Sequence, residues 1–403
     1  MVLVSACNED VTGGACPALC PEQNVTMIDT IINAVVIDST IDDVPALGSE
    51  ARLTLLRQGD SLETAIVVRY DTLVSSFVRS GTDTTRLPVV DVDSARMVLI
   101  LDGNVGASAP VTFDVFEVDP GPSGADTASV NATVRTGTPI TSLTIPADTA
   151  ISQLSIPLPS APLAARVTAH QPFIVAITAR SDSAVTASFI SREGLNSPQL
   201  FYKAVVTDTD RRQVFVLASD TAQGRPTEEG ELADFTSVVH GSPAPPADVV
   251  AVGGLPSSRI YYSFDLPPRI LDSTTVVRAS LLVTQQRASG PGSTARLPIH
   301  FRQVGVGPTV EPGKAVLLPS ALPAVAPDTL VPADSGRVRL EMVDIVRGWA
   351  GTDSTKLQHA IVITSDFETI SPSRILFFSN EADPSVRPRL QVTFVPNTSA
   401  GLP

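Results

Sequence analysis

The sequence predicts an all-β protein: two tandem antiparallel β-sandwich domains, jelly-roll-like, related by internal duplication. Three observations carry the prediction. Apolar residues make up 43% of 403 residues and fall in short Val-, Ile- and Leu-rich runs, not in stretches of helical length. The 34 prolines and 25 glycines punctuate those runs as turns punctuate strands. Blocks of the first half also recur in the second half in the same order.

Taken along the chain, the β-pattern begins near Asn33. Candidate strands are Ala34–Ile37, Arg52–Leu56, Ala65–Tyr70, Ala95–Leu101 after a D-V-D-S turn, and Val111–Val118. In the last of these Phe113 and Val115 should face one way, Asp114 and Phe116 the other, because strand side chains alternate. Asp119–Pro139, rich in Gly, Ser and Pro, reads as a long surface loop. Gln153–Leu158, Phe173–Thr178, Ala187–Ile190 and Leu200–Val205 complete about nine strands, the number expected of a sandwich.

The second half then matches block by block. Ile260–Asp265 pairs with Ile66–Asp71, Ala279–Val283 with Ala95–Leu99, Leu297–Phe301 with Val111–Val115, and Ile361–Thr364 with Val175–Thr178. Ser373–Val395 closes the series against Ala187–Val205, sharing an aromatic-apolar-Ser-x-Glu element, a loop and Pro-x-Leu. The offsets stay between about 184 and 194 residues, and order and spacing together are hard to obtain by chance. The polar run Thr207–Arg212 sets the expected boundary: an arm at 1–32, domains at 33–207 and 208–396, and a tail at 397–403. Within the second copy Ala218–Pro256 and Gly305–Pro332 read as loops, and only Met342–Trp349 reads as a turn or two of helix.

The N-terminus supplies all three cysteines. Val4-Ser5-Ala6-Cys7 has the form of a bacterial lipobox, which makes Cys7 the expected lipidation site. The residues before it are too few for a signal peptide and lack a basic stretch, so either the precursor starts earlier or the match is chance. A lipidated Cys7 would tether the chain to a membrane surface without spanning it. Cys16 and Cys20 then remain as a pair, able to close a small disulfide in an oxidising compartment or to stay as two thiols.

Charge and motifs narrow the function classes. The net charge is −14 and lysine occurs only at Lys203, Lys314 and Lys356, so a nucleic-acid partner is not expected. His170, His240, His300 and His359 are isolated, and Gly305-Val-Gly307 runs into Pro-Thr-Val instead of a dinucleotide-binding turn. Neither a nucleophile elbow nor a P-loop is present, so the expectation is a protein that is not an enzyme. No cofactor is expected. The acidic clusters Asp91–Asp93, Asp208–Asp210 and Thr227–Glu231 lack EF-hand spacing and leave only a structural calcium open. Trp349, the sole tryptophan, is either a sugar-stacking platform or a core plug, and its place at the end of an apolar turn favours the core. Glu193 and Glu381 occupy equivalent loops; their recurrence favours a carboxylate that fixes the turn over a metal or sugar ligand.

The strands R-I-Y-Y-S-F-D-L-P and V-V-R-A-S-L-L-V, the turn V-D-I-V-R-G-W with Asp344 and Trp349, and F-F-S-N-E…P-R-L-Q-V-T-F with Glu381 and Pro388 together resemble the DNRLRE-type domain of bacterial extracellular proteins. The resemblance covers most of Ser258–Val395. The first half keeps the Glu193…Pro198 stretch but lacks the Asp/Trp turn, and the motif that names the family is absent. The resemblance implies a β-sandwich module of extracellular proteins; some members are similar to carbohydrate-binding modules, others to structural surface parts.

The functional expectation is therefore a non-catalytic, extracytoplasmic structural or interaction protein, in the periplasm or at the cell surface. It would be a lipid-anchored scaffold or extrinsic subunit of a membrane-associated assembly, with protein partners. The alternative is a carbohydrate-binding module protein with a polysaccharide partner.

Overall fold

The computed structural model describes residues 27–397 apart from 43–47, 49–50, 60–61, 80–84, 104, 106, 120–125, 148, 195–196, 208, 220–233, 242–243, 291, 307–315, 318–327, 352–358 and 369. Cys7, Cys16 and Cys20 lie outside the described residues, as does Thr227–Glu231.

Short alternating runs become strands nearly everywhere they occur. The chain enters through β1 (Ile28–Ile32) and β2 (Val35–Asp42), then runs through β3 (Arg52–Gln58), β4 (Leu62–Tyr70), β5 (Ser76–Val78), β6 (Arg86–Pro88), β7 (Asp91–Ile100) and β8 (Val111–Glu117). Next come α1 (Thr127–Thr136), β9 (Thr141–Ile145), β10 (Gln153–Leu158), α2 (Ser160–Ala169), β11 (Phe173–Arg180), β12 (Val185–Ile190) and β13 (Gln199–Val205). They are followed by β14 (Arg211–Leu217), β15 (Asp234–His240), β16 (Val249–Gly253), β17 (Ser258–Phe264), α3 (Pro268–Asp272), β18 (Thr274–Gln286) and β19 (Leu297–Val306). The chain closes with β20 (Val316–Leu317), β21 (Asp328–Leu330), β22 (Gly336–Glu341), α4 (Val343–Gly351), β23 (Ala360–Ser365), β24 (Arg374–Phe378) and β25 (Arg389–Pro396).

These strands build two antiparallel β-sandwich units. In unit 1 one layer runs β12-β3-β4-β11-β8-β9 and the other β10-β7-β13-β14. Leu53, Ile66, Phe113 and Val175 from the first layer meet Met97, Ile156 and Tyr202 from the second in one core. Val115 shares that core with Phe113, while Phe116 faces a second cluster under α1, as strand alternation requires. In unit 2 the layers run β24-β16-β17-β23-β19, with β21 beside β19, and β22-β18-β25-β1. Ile260, Leu281, Trp349, Ile363, Phe377 and Val392 fill its core. The two layers of unit 2 join through β18, which pairs with β22 and β25 and then, at Gln285 and Gln286, with β24. A bridge from Leu101 to Phe189 makes the corresponding link in unit 1.

Neither unit is contiguous in sequence. β14 forms a hairpin with β13, and β15 pairs with β4, so β14 and β15 complete unit 1. β1 pairs with β25 and β2 with β17, so residues 28–42 complete unit 2. The domain limits expected at 33–207 and 208–396 are thus crossed in both directions, because alternation identifies a strand but not its partner.

Three stretches expected to be loops contain regular structure. Within Asp119–Pro139 lies α1, whose polar, β-branched sequence T-A-S-V-N-A-T-V-R-T has little helical preference. Its start is held by a capping box: Asp126 accepts from the Ser129 N–H, and Ser129 Oγ meets the Asp126 N–H. Its side is held by buried Val130 and by Asn131 donating to the Val238 carbonyl of β15. Ala218–Pro256 contains β15 and β16. Gly305–Pro332 holds β20 and β21 among its described residues. The helical turn expected at Met342–Trp349 is α4.

Candidate functional site

β15 does not lie on an open edge. β3 and β4 pair only at their turn, through Arg57–Glu63 and Gln58–Leu62. Beyond that point they splay apart and β15 enters the fork. It pairs with β4 from Val68 to Glu63, and its Thr236 hydroxyl accepts the Thr54 N–H of β3 at 2.9 Å. β16 and β17 are splayed in the same way, paired only at Gly253–Ser258. β2 enters that fork, pairs along β17, and its Thr40 hydroxyl accepts the Ala251 N–H of β16 at 3.0 Å.

Each inserted strand also reaches the Ser-x-Glu loop that stood out in the sequence. Asp38 of β2 accepts the main-chain N–H of Asn380, between Ser379 and Glu381, at 2.7 Å. Asp234 of β15 accepts the N–H of Arg192, between Ser191 and Glu193, at 2.8 Å. Both units therefore carry one latch: an Asp-x-Thr on the inserted strand, with the Asp on the loop and the Thr on the next strand.

The chemistry of the latch is that of a partly desolvated carboxylate. Burial first, and then the neighbouring Glu381 charge, push Asp38 up to about 6. Glu381 accepts from the Ser379 hydroxyl at 2.7 Å, which fixes the loop. Burial raises Tyr262 well above its ordinary value, and the Asp38 charge adds to this; Asp234 acts in the same sense on Tyr70.

The structural motif residues fall beside this latch or in the core. Pro198 and Pro388 are buried next to the final strands, and the Pro198 carbonyl accepts the Ala218 N–H at 2.9 Å. Asp344 sits in the first turn of α4, where a carboxylate suits the helix N-terminus. Trp349 is 1% exposed, its ring 5.5 Å from Phe264 and 5.4 Å from His359, whose imidazole burial holds below its ordinary value.

Two surfaces outside the latch merit description. A shallow cleft of about 470 Å³ opens between α1, β4 and β8 of unit 1, lined by Arg57, Glu63, Asp114, Arg135, Arg180 and His240. Its charges are already engaged: Arg57 with Glu63 at 3.3 Å, His240 with Glu63 at 3.4 Å, and Arg180 with Asp114. Burial pushes Asp114 up, but hydrogen bonds from Arg180 and Ser142 outweigh it and hold the carboxyl below its usual range. Among the described residues no group of three or more His, Cys, Asp or Glu is placed to hold a metal ion. The second surface is the outer face of β7, β13 and β14. There Phe201 and Phe215 lie 5.0 Å apart with the Arg96 guanidinium 4.7 Å over Phe201.

Sequence reasoning missed Asp38, Thr40, Asp234 and Thr236. The signal exists, since D-S-T at 38–40 answers D-F-T at 234–236. It is weak, because D-S-T also occurs at 272–274 and 353–355.

The fold and the latch define a class: an all-β protein of two strand-sharing sandwiches. No family model matches the chain. No curated protein matches it at a significant level.

Proposed function

We propose that this is a non-catalytic structural or interaction protein, working outside the cytoplasm as a lipid-anchored scaffold or extrinsic subunit of a membrane-associated assembly. One observation carries the proposal. The polar motifs that recur in both halves are spent on holding the two units to each other's strands: the Ser-x-Glu loops, Asp38, Asp234 and the two threonines. A chain that commits its recurring polar groups to self-assembly is built for shape and attachment. The resemblance to DNRLRE-type modules and the lipobox-like Val4–Cys7 fit the same setting, and the matching strand order of the two units is what an internal duplication would give.

The test is gentle detergent extraction from the native host, followed by affinity capture of the full chain. A stoichiometric protein partner and a diacylated Cys7 are expected; a clean monomer with an unmodified N-terminal segment overturns the proposal.

A second function rests on a different observation, the Phe201–Phe215 pair beneath Arg96. Phe215 is 51% exposed, and aromatic rings on a sandwich face can stack on sugars. Against it, all four tyrosines and Trp349 are buried, so the aromatics with polar handles are turned inward. Glycan-array binding abolished by Phe215→Ala would move the assignment to a carbohydrate-binding protein.

A further inference from the structure

The two units have the same strand order once their inserted strands are included. β12-β3-β4-β11-β8-β9 in unit 1 answers β24-β16-β17-β23-β19-β21 in unit 2, and β10-β7-β13-β14 answers β22-β18-β25-β1. β15 on β4 answers β2 on β17. The match extends to register. Leu200 faces Val216 while Leu390 faces Ile32, and Ala204 faces Arg212 while Phe394 faces Ile28. Ile66 faces Thr236 while Ile260 faces Thr40.

Along the sequence the order is β1-β2, the body of unit 1, β14-β15, then the body of unit 2. Each strand pair thus precedes one body and inserts into the other. The molecule is a reciprocal exchange of strand pairs between two like halves.

The two pairs differ in attachment. β14-β15 is covalently continuous with the fold at both ends, with β13 before it and β16 after it. β1-β2 is joined to the bodies only through residues 43–51, which lead to β3. Among the described residues its strand pairings and latch bonds are with the unit 2 body: β1 on β25, and β2 on β17 and on the Ala251 and Asn380 N–H groups. Ile37 and Ile41 pack on Tyr261, Val304 and Val362, and Ala34 and Val35 enter the main core.

We propose that β1-β2 is a donor arm exchangeable between copies, so that the arm of one molecule completes unit 2 of a second molecule. An empty fork would leave the β17 ladder and two latch N–H groups without partners, so the seat must be filled by this sequence. An arm from a second copy makes identical contacts, and only the molecule to which it is covalently joined differs, which is the usual basis of domain swapping. Those residues span at most about 30 Å when extended. The chain already joins its own halves by this device. The arm also bears exposed apolar side chains, Ile28, Ile31 and Val36, which remain exposed in the closed form. This inference rests on the fold and goes beyond the scaffold function: a swapped assembly survives the absence of any lipid anchor or foreign partner.

The test uses the full chain with Cys7, Cys16 and Cys20 replaced by Ser. Asp29 and Thr393 are register partners whose side chains lie 3.0 Å apart. One tagged copy carries Asp29→Cys, an untagged copy carries Thr393→Cys, and a third chain carries both. The double variant should close internally on oxidation. Unfolded together and refolded, the two single variants should give a disulfide-linked heterodimer, at least ten times more than Asp29→Cys gives with an exposed Asp272→Cys control. Failure of the double variant to close overturns the seating of the arm. Closure without heterodimer above the control overturns the exchange.

Discussion

Unit 1 and unit 2 receive their inserted strands in identical seats, yet the two seats depend on different things. In unit 1 the register of β14 is set by its hairpin with β13, where Val205 faces Arg211 across a short turn. In unit 2 no turn joins β1 to β25; the pairing spans more than 350 residues of sequence. Its register rests on side chains: Asp29 accepts from Gln391 at 2.8 Å and meets the Thr393 hydroxyl at 3.0 Å, and Asp38 and Thr40 fix β2. Where covalent connection sets one seat, specific polar contacts must set the other. The same contrast marks the outer faces. Phe201 and Phe215 of unit 1 stand where unit 2 has Gln391 and Ile31.

Trp349, the sole tryptophan, lies in the core of unit 2 and reports on that unit alone. The largest effect is expected from a chain beginning at residue 43. Removing the arm takes away β1, β2 and part of the core, more than the 5–15 kcal/mol that stabilises a domain can absorb. Trp349 fluorescence should lose its cooperative transition, while hydrogen exchange in β4, β8 and β11 stays slow. Equal loss of protection in both units would show that the arm supports the whole molecule.

Next is Trp349→Ala, which empties the end of the unit 2 core between Phe264 and His359. It should cost about 3–5 kcal/mol in denaturant unfolding, and unchanged stability would remove Trp349 from the core. Asp38→Ala and Asp234→Ala each orphan a loop N–H and should cost about 1–3 kcal/mol. The Asp38 variant should lower only the unit 2 transition. The Asp234 variant should act on unit 1, where the β13–β14 hairpin softens the loss.

The smallest effect is one of pH. Asp38, with an ordinary value of 3.8, is held at about 6. Between these values the folded protein binds the extra proton, so the contribution of Asp38 to stability is full below its ordinary value, is lost as pH rises to about 6 and stays lost above that. Asp328, raised by burial and the Glu341 charge, adds in the same direction. His359, which burial holds below its ordinary value, acts the other way over the same range, so the readout is the variant: the change in Trp349 melting temperature from pH 5 to pH 7.5 should be more positive in Asp38→Asn than in the unsubstituted protein. An equal or more negative change in Asp38→Asn would mean that Asp38 is stabilised as the anion.

Much of the sandwich was legible because strand alternation is local. Alternation in Val111–Val118 puts Phe113 and Val115 on one face and Asp114 and Phe116 on the other, as the two clusters show. The Ser-x-Glu loops were legible because they recur, and their partner was not. Asp38 and Asp234 lie on strands whose loops are 342 and 42 residues away, and local periodicity contains nothing about such distances. Helix α1 was hidden for the opposite reason. Its residues prefer strand or turn, and it exists through its capping box and the contacts of Val130 and Asn131.

The β1–β25 ladder also has a mechanical direction. Ile28 faces Phe394 and Ile32 faces Leu390, so the chain enters β1 and leaves β25 at the same end. Tension between those two ends loads the ladder bond by bond, as a zipper opens. A molecule held by the segment before β1 is therefore compliant to pull from the segment after β25.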